Sequence, residues 1–334
     1  MSDNGKIKVL VTGGSGFLGS YIAEQLAQAG HQVVALVRHS SNRKLLSSLP
    51  GVSFAFGSVE DRDALQTAAK GIDAIVHAAG LVKALSPHDF EMVNVDGTKN
   101  LLDAAREHAP GLRRFVFVSS LTAIGPSEDG KPVAPDREPR PVSHYGRSKL
   151  RAEQAVLSAK DDLPVTVIRP PMIYGPRDRE TFAFFQAVHY RVLPMVGDGK
   201  NTLSVVYGSD AASACVKAIF ADVPSGKAYF VDDGNVYVWR DMLDEIERAL
   251  GRRALLRFSI PSTVLKGIAS ATEGLGRLAK RPVMLTRDKL NELLADHWVC
   301  DSSSTRAELD WRPEVSWAQG VRLAADWYRD QGWL

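Results

Sequence analysis

The sequence predicts an α/β fold, a doubly wound parallel sheet followed by a smaller, mostly helical C-terminal lobe. Three observations predict it. Short β-rich runs alternate with helical patterns through the first 170 residues. A glycine-rich turn joins the first such run to the first helical pattern. Beyond Pro170 the rhythm changes to short strands among longer helices, with no Ser/Gly-rich linker between the halves. Repeated strand–helix–strand units mean right-handed crossovers, and hence an open parallel sheet covered by helices on both faces.

Residues 7–12 read Ile-Lys-Val-Leu-Val-Thr, a largely apolar run suited to burial in a parallel sheet. Leu18, Ile22, Leu26 and Ala29 recur at helical spacing, and Gly30 closes that helix. Further strands are expected at 32–37, 52–56, 74–77, 115–119 and 165–169, with helices at 90–107 and 145–158 between them. The second half offers strands at 203–206 and 228–231 and helices at 239–250, 260–278, 287–295 and 317–330.

Composition narrows the function. Apolar residues at 45% and charged residues at 24% describe an ordinary globule with a sizeable core, which excludes disordered, collagen-like and coiled-coil chains. Lys plus Arg (41) nearly cancels Asp plus Glu (39), and no long basic run occurs, which argues against nucleic acid or an anionic membrane as partner. Cys215 and Cys300 make neither a disulfide framework nor a metal-ligand pair, so a reducing compartment and no metal are expected. No apolar stretch reaches the roughly 18 residues of a spanning helix. The polar residues 1–8 run straight into a strand pattern, which predicts no signal peptide and a cytoplasmic chain.

The turn Thr12-Gly13-Gly14-Ser15-Gly16-Phe17-Leu18-Gly19 follows the first strand and opens the first helix. Such a turn needs glycine for positive φ, for close approach of the backbone to a pyrophosphate and for helix–strand packing. The helix start adds N–H groups and partial positive charge. Gly13, Gly16, Phe17, Leu18 and Gly19 are therefore expected against a dinucleotide. At the end of the second strand an acid would hold the ribose hydroxyls of NAD. Here stand Arg38, Ser40, Ser41 and Arg43, suited to a 2′-phosphate, so NADP is expected, with NAD possible. Asp61 follows the third strand, where a carboxylate accepts from an adenine amino group or caps the next helix. Ala78, Ala79 and Gly80 end the fourth strand with small residues that let a cofactor lie across the strand ends. His77 has no metal-spaced partner and reads as a packing or hydrogen-bonding residue.

Tyr145 and Lys149 lie four apart on one face of a predicted helix. A free phenol is a poor acid–base group near neutrality. A nearby ammonium lowers its pKa and lets it exchange a proton with a substrate oxygen during hydride transfer. The ammonium also suits the nicotinamide ribose. Ser120 lies just past the strand 115–119, at the carboxyl end where ligands bind in open α/β sheets. Its hydroxyl suits the reacting oxygen; Ser119 and Thr122 are alternatives, and simple strand-end capping is the other reading.

Taken together, the glycine turn, His77-Ala78-Ala79-Gly80, Asn94-Val95-Asp96-Gly97-Thr98, Ser119-Ser120, Tyr145 with Lys149, the segment Arg169-Pro170-Pro171-Met172-Ile173-Tyr174-Gly175-Pro176 and the later Ser204-Val205-Val206-Tyr207-Gly208-Ser209-Asp210 resemble the extended short-chain dehydrogenase/reductase family, the NAD-dependent epimerase/dehydratase group. The resemblance implies a Rossmann domain over 1–170, also taking in about 204–232, and a substrate-binding lobe over 171–334. It implies catalysis by Ser120, Tyr145 and Lys149, cofactor contacts from Tyr145, Lys149 and Pro170, and a homodimer through a four-helix bundle of helices 90–107 and 145–158. Nucleotide-sugar members carry an Asn where this chain has Met172 or Ile173, and an Arg where it has Leu203. Without those anchors the chain is more similar to the 3β-hydroxysteroid dehydrogenase and dihydroflavonol reductase branches.

The expected function is an NAD(P)-dependent oxidoreductase interconverting a secondary alcohol and a ketone on a moderately apolar small molecule. A nucleotide-sugar epimerase or dehydratase is the alternative, with Arg177, Arg179 and Lys200 as the cations that would hold the diphosphate. A regulatory protein binding NADP without turnover is a third, disfavoured by the intact Tyr–Lys pair. The apolar helix 260–278 is expected either to roof the substrate pocket or to form the core of the lobe.

Overall fold

The computed structural model describes residues 5–283 and 285–334. The polar N-terminal reading therefore falls partly, at residues 1–4, outside the described residues. Six strands open the fold: β1 (Lys8–Thr12), β2 (Gln32–Val37), β3 (Val52–Phe56), β4 (Ala74–His77), β5 (Arg114–Val118) and β6 (Val165–Arg169). A seventh, Lys227–Phe230, joins them from the second half of the chain. The parallel sheet runs Lys227–Phe230, β6, β5, β4, β1, β2, β3. Every residue of β5 and β6 is buried, as the near-continuous apolar runs require of strands covered on both faces.

Alternation along the strands feeds two cores, because successive side chains point to opposite faces. Val9 and Val11 face α1 (Phe17–Gln28) and the helix Gly208–Phe220, packing with Ile22, Leu26, Ala211 and Ala218. Leu10, Ile75, Phe115 and Phe117 face the other way, onto α2 (Arg62–Ala69) and the helices Gly97–His108 and His144–Ser158. A third core, around Tyr174, Phe185, Trp317 and Tyr328, holds the C-terminal lobe.

Three expectations change in detail. The helix expected at 90–107 is interrupted: Pro87–Phe90 leads into a π-helical turn, Glu91–Asp96, before Gly97–His108 resumes. The wide turn accommodates a side chain that reaches out of the helix, Asn94, and a close approach at Gly97, where a Cβ would sit 2.5 Å from Val59 Cγ2. The strand expected at 203–206 splits at Ser204. Thr202–Leu203 pairs with Tyr237–Val238 and His297–Trp298, whereas Val205–Tyr207 pairs with Met172–Tyr174. The lobe is therefore less purely helical than expected. It holds those small sheets and a further pair, Val192–Val196 with Leu256–Ile260.

Candidate active site

β1 and β4 are neighbours whose connections leave in opposite directions, the switch point at which open α/β sheets bind ligands. Gly13 follows β1 with φ +70°, and a Cβ on it would lie 2.8 Å from Ala79 N. A Cβ on Gly19 would lie 2.1 Å from Gly13 O. Both glycines are thus required by the close approach of turn, helix and strand end. No side chain caps the start of α1 and no acid lies in its first turn, which leaves the helix end to attract an anion. Gly13, Gly16, Arg38, Ser41, Ala78, Ala79 and Gly80 line one groove of about 240 Å³. These residues fit a dinucleotide: small at the strand ends, backbone-rich at the helix start, cationic at the end of β2.

Other residues expected at the cofactor hold the groove from behind. Phe17 packs edge-on against Tyr21, with ring centroids 5.8 Å apart, and Leu18 packs on the core beneath the sheet. Asp61 caps α2, accepting from Ala64 N at 3.1 Å. Pro170 accepts Leu121 N through its carbonyl at 2.9 Å. Neither Asp61 nor Pro170 is among the groove residues. Arg43 turns aside and stacks over Phe56. His77 is fully buried between two hydroxyls, with Nδ1 2.7 Å from Thr12 Oγ1 and Nε2 2.9 Å from Thr98 Oγ1. Burial, aided by Lys149, pulls its pKa down to about 3, so it stays neutral and structural.

The catalytic candidates converge beyond β5. Ser120 caps the short helix Leu121–Ile124 and accepts from Thr122 N and Oγ1, and its hydroxyl acts to lower the pKa of the Tyr145 phenol. Ser119 is engaged elsewhere, donating to Glu153 Oε2 at 2.6 Å. Strand-end capping and site geometry thus coexist in Ser120.

One expectation is corrected. Lys149 shares a helix face with Tyr145, but its flexible stem carries the amine to the Val118 carbonyl at 2.6 Å and to within 4.3 Å of the Phe117 ring centroid. In this arrangement Tyr145 owes no lowering of its pKa to Lys149. Burial and the Glu292 carboxylate push it upward, and only the Ser120 hydrogen bond opposes them. Lys149 itself is pulled down to about 7 by burial, with Glu153 opposing.

Three residues that the sequence reading gave no role enter here. Asn94 reaches from its π-helical turn to tie the end of β4 to the Tyr–Lys helix. It accepts Leu81 N at 2.7 Å and donates to Ser148 Oγ at 2.9 Å. Lys289 and Glu292, on the helix Arg287–Leu293, form an ion pair beside Tyr145, and Lys289 Nζ lies 5.8 Å from the phenol ring centroid. The Asn-Val-Asp-Gly-Thr motif marked the first. No local signal marked the other two, which arrive by tertiary packing.

A cavity of about 350 Å³ opens from Ser120 into the lobe. Its walls are mostly apolar, among them Leu121, Phe184, Trp239 and Trp298, with Met172 and Leu203 at the two positions that lack sugar-nucleotide anchors. The cations that were candidates for a diphosphate lie elsewhere. Arg177 pairs with Glu24 at 2.8 Å and stacks over Tyr21, Arg179 stacks over Trp333, and Lys200 pairs with Asp198. The apolar helix, observed as Ser262–Leu278, contributes none of the cavity's lining. Its buried face is narrow: Leu265 and Ala269 form a small core of the lobe with Leu290, Gly276 is also buried, and Leu275 and Leu278 are exposed. The adjoining helix Arg287–Leu293 closes the cavity in its place. Among the described residues no cluster of His, Cys, Asp and Glu could hold a metal, and no helix is long and apolar enough to cross a membrane.

Residues 9–231 match the sequence model of the NAD dependent epimerase/dehydratase family. The chain is 32% identical over 340 residues to a ceramide reductase of Caulobacter vibrioides, covering 100% of this chain and 98% of that protein. It is 30% identical over 334 residues to a 2-alkyl-3-oxoalkanoate reductase of Stenotrophomonas maltophilia, covering 95% and 98%. Its fold is similar to that of the dTDP-glucose 4,6-dehydratase DesIV of Streptomyces venezuelae, at a TM-score of 0.80 and 24% identity over 98% of each chain.

Proposed function

This chain belongs to the NAD-dependent epimerase/dehydratase family as an NAD(P)-dependent oxidoreductase of the extended short-chain type, and from that premise we propose that it interconverts a ketone and a secondary alcohol on an apolar, chain-bearing substrate. The observation that carries the reading is the apolar cavity opening from Ser120, with Met172 and Leu203 on its wall. A diphosphate buried there would meet no guanidinium, and an unpaired charge in an apolar site is costly. The names of two relatives, a ceramide reductase and an oxoalkanoate reductase, fit an apolar keto substrate.

A bound nicotinamide cofactor supplies or accepts the hydride. Ser120 holds the substrate oxygen by a hydrogen bond, and Tyr145, whose phenol is kept protonated by burial, donates its proton to that oxygen during reduction. Lys149, which donates to the Val118 carbonyl in this structure, would hold the ribose of a bound cofactor. Arg38 and Ser41 at the groove rim support a preference for NADP. The family resemblance supports a homodimer through the helices Gly97–His108 and His144–Ser158, and the two buried free thiols, Cys215 and Cys300, suit the cytoplasm.

The test is oxidation of NADPH by the purified enzyme with medium- and long-chain ketones in one series and UDP- and dTDP-sugars in another. Turnover of the ketones, with no thermal stabilisation by the sugars, is expected. Micromolar binding of a nucleotide sugar, lost on substituting Arg177 or Arg179, would overturn the reading and promote the epimerase.

A further inference from the structure

Glu292 is buried, with 7% of its surface exposed, and lines the apolar cavity that opens from Ser120. Its Oε2 accepts Lys289 Nζ in an ion pair. Its Oε1 is buried and has no hydrogen-bond partner among the described residues. A buried acceptor left without a donor is costly, and native structures rarely leave one so. Trp298 Nε1 donates to the Glu292 backbone carbonyl at 2.9 Å, Asn201 Nδ2 donates to the Ala295 carbonyl at 3.2 Å, and Ser204 Oγ donates to Asp232 at 3.0 Å. These three donors are engaged elsewhere, and none of them serves Oε1.

Charge points the same way. Lys289 is the one cation lining the cavity among the described residues, and Glu292 already neutralises it. A substrate carboxylate placed there would find no free cation and would face Glu292 in surroundings that screen charge poorly.

We propose that Glu292 is a substrate-recognition residue whose free carboxylate oxygen accepts a hydrogen bond from a hydroxyl or amide N–H carried next to the reacting ketone, so that the Lys289–Glu292 pair selects neutral, donor-bearing keto-lipids over 3-oxo acids. The inference rests on reading this site as that of a ketone reductase. It separates the substrate classes of the two named relatives, since a ceramide-like ketone offers such donors and an oxoalkanoate offers a carboxylate.

Three ketones of equal chain length test it with NADPH: a plain ketone, an N-acyl-2-amino-3-ketone with a terminal hydroxyl, and a 2-alkyl-3-oxo acid. The wild-type enzyme is expected to favour the amido ketone over the oxo acid at least ten-fold in kcat/KM. Glu292→Gln removes the charge and frees Lys289, so that ratio should fall at least ten-fold, through a higher KM for the amido ketone and a lower one for the oxo acid. A wild-type preference for the oxo acid overturns the proposal. So does a Glu292→Gln enzyme whose ratio is unmoved while both substrates slow together, the signature of a merely structural residue. If the variant does not fold, the wild-type ranking decides alone. Should the wild-type enzyme reduce the plain ketone without favouring the amido ketone, this proposal fails and the reductase reading stands. Should it reduce none of the three, both fall.

Discussion

Glu153 meets Arg169 in an ion pair that is buried almost completely, with Glu153 Oε1 2.5 Å from Arg169 Nη2. The pair lies one helical turn beyond Lys149, and Glu153 also accepts the Ser119 hydroxyl at 2.6 Å while Arg169 donates to the Pro135 carbonyl. It ties β5, β6 and the Tyr–Lys helix together directly beneath the reacting groups.

Breaking that pair from one side should be severe. Glu153→Ala leaves the Arg169 guanidinium buried without its counter-charge, a change that costs about 3–5 kcal/mol. Glu153→Gln, which keeps the shape and an acceptor for Ser119, should lose less. Urea denaturation of the two variants measures this; an unchanged midpoint in Glu153→Ala would show that the pair contributes nothing net.

Tyr145→Phe keeps the ring against Phe90, with centroids now 6.1 Å apart, and removes the ionisable oxygen. A positioned proton donor is worth about 10²–10⁴-fold in rate. Ketone turnover should fall by at least that range while the cofactor Kd stays within about two-fold, a split that single-turnover rates and calorimetry read separately.

Lys149 gives stability a pH dependence of defined sign. Its folded-state pKa is about 7 against an ordinary 10.5. Between those values the unfolded chain holds a proton that the folded chain has released, so stability rises with pH across the window and the gain is lost as pH falls back through about 7. Without added cofactor, the wild-type protein should gain on Lys149→Met as pH climbs from about 7 to about 10. Parallel stability curves for the two proteins would refute the assignment.

Arg38 lines the cofactor groove with Ser41, at the end of β2. A charge-assisted contact to a 2′-phosphate is worth roughly 1.5–3 kcal/mol. Arg38→Ala should therefore weaken NADP by about ten-fold or more and leave NAD nearly unchanged. Calorimetric titration of both cofactors checks it, and a wild-type preference for NAD would be the contrary result.

What the sequence determined by itself was local. The apolar runs at β2, β3, β4 and β6 and the glycines between β1 and α1 express backbone and burial requirements within a few residues of one another. Their chemistry is therefore legible in order along the chain. The same holds for the Tyr145–Lys149 spacing, which places both residues on one helix face. Tertiary structure decided what depends on distant segments meeting. The strand Lys227–Phe230 finishes a sheet begun more than 200 residues earlier, and Ser204 divides one apolar run between two sheets. The Lys149 amine points where the Val118 carbonyl and the Phe117 ring draw it, which helical spacing alone does not specify. Lys289 and Glu292 reach Tyr145 only because the helix Arg287–Leu293 packs over the mouth of the cavity. Periodicity states which face a residue occupies. The electrostatics of a buried site depend on which groups share that volume, and only the packed chain brings them into it.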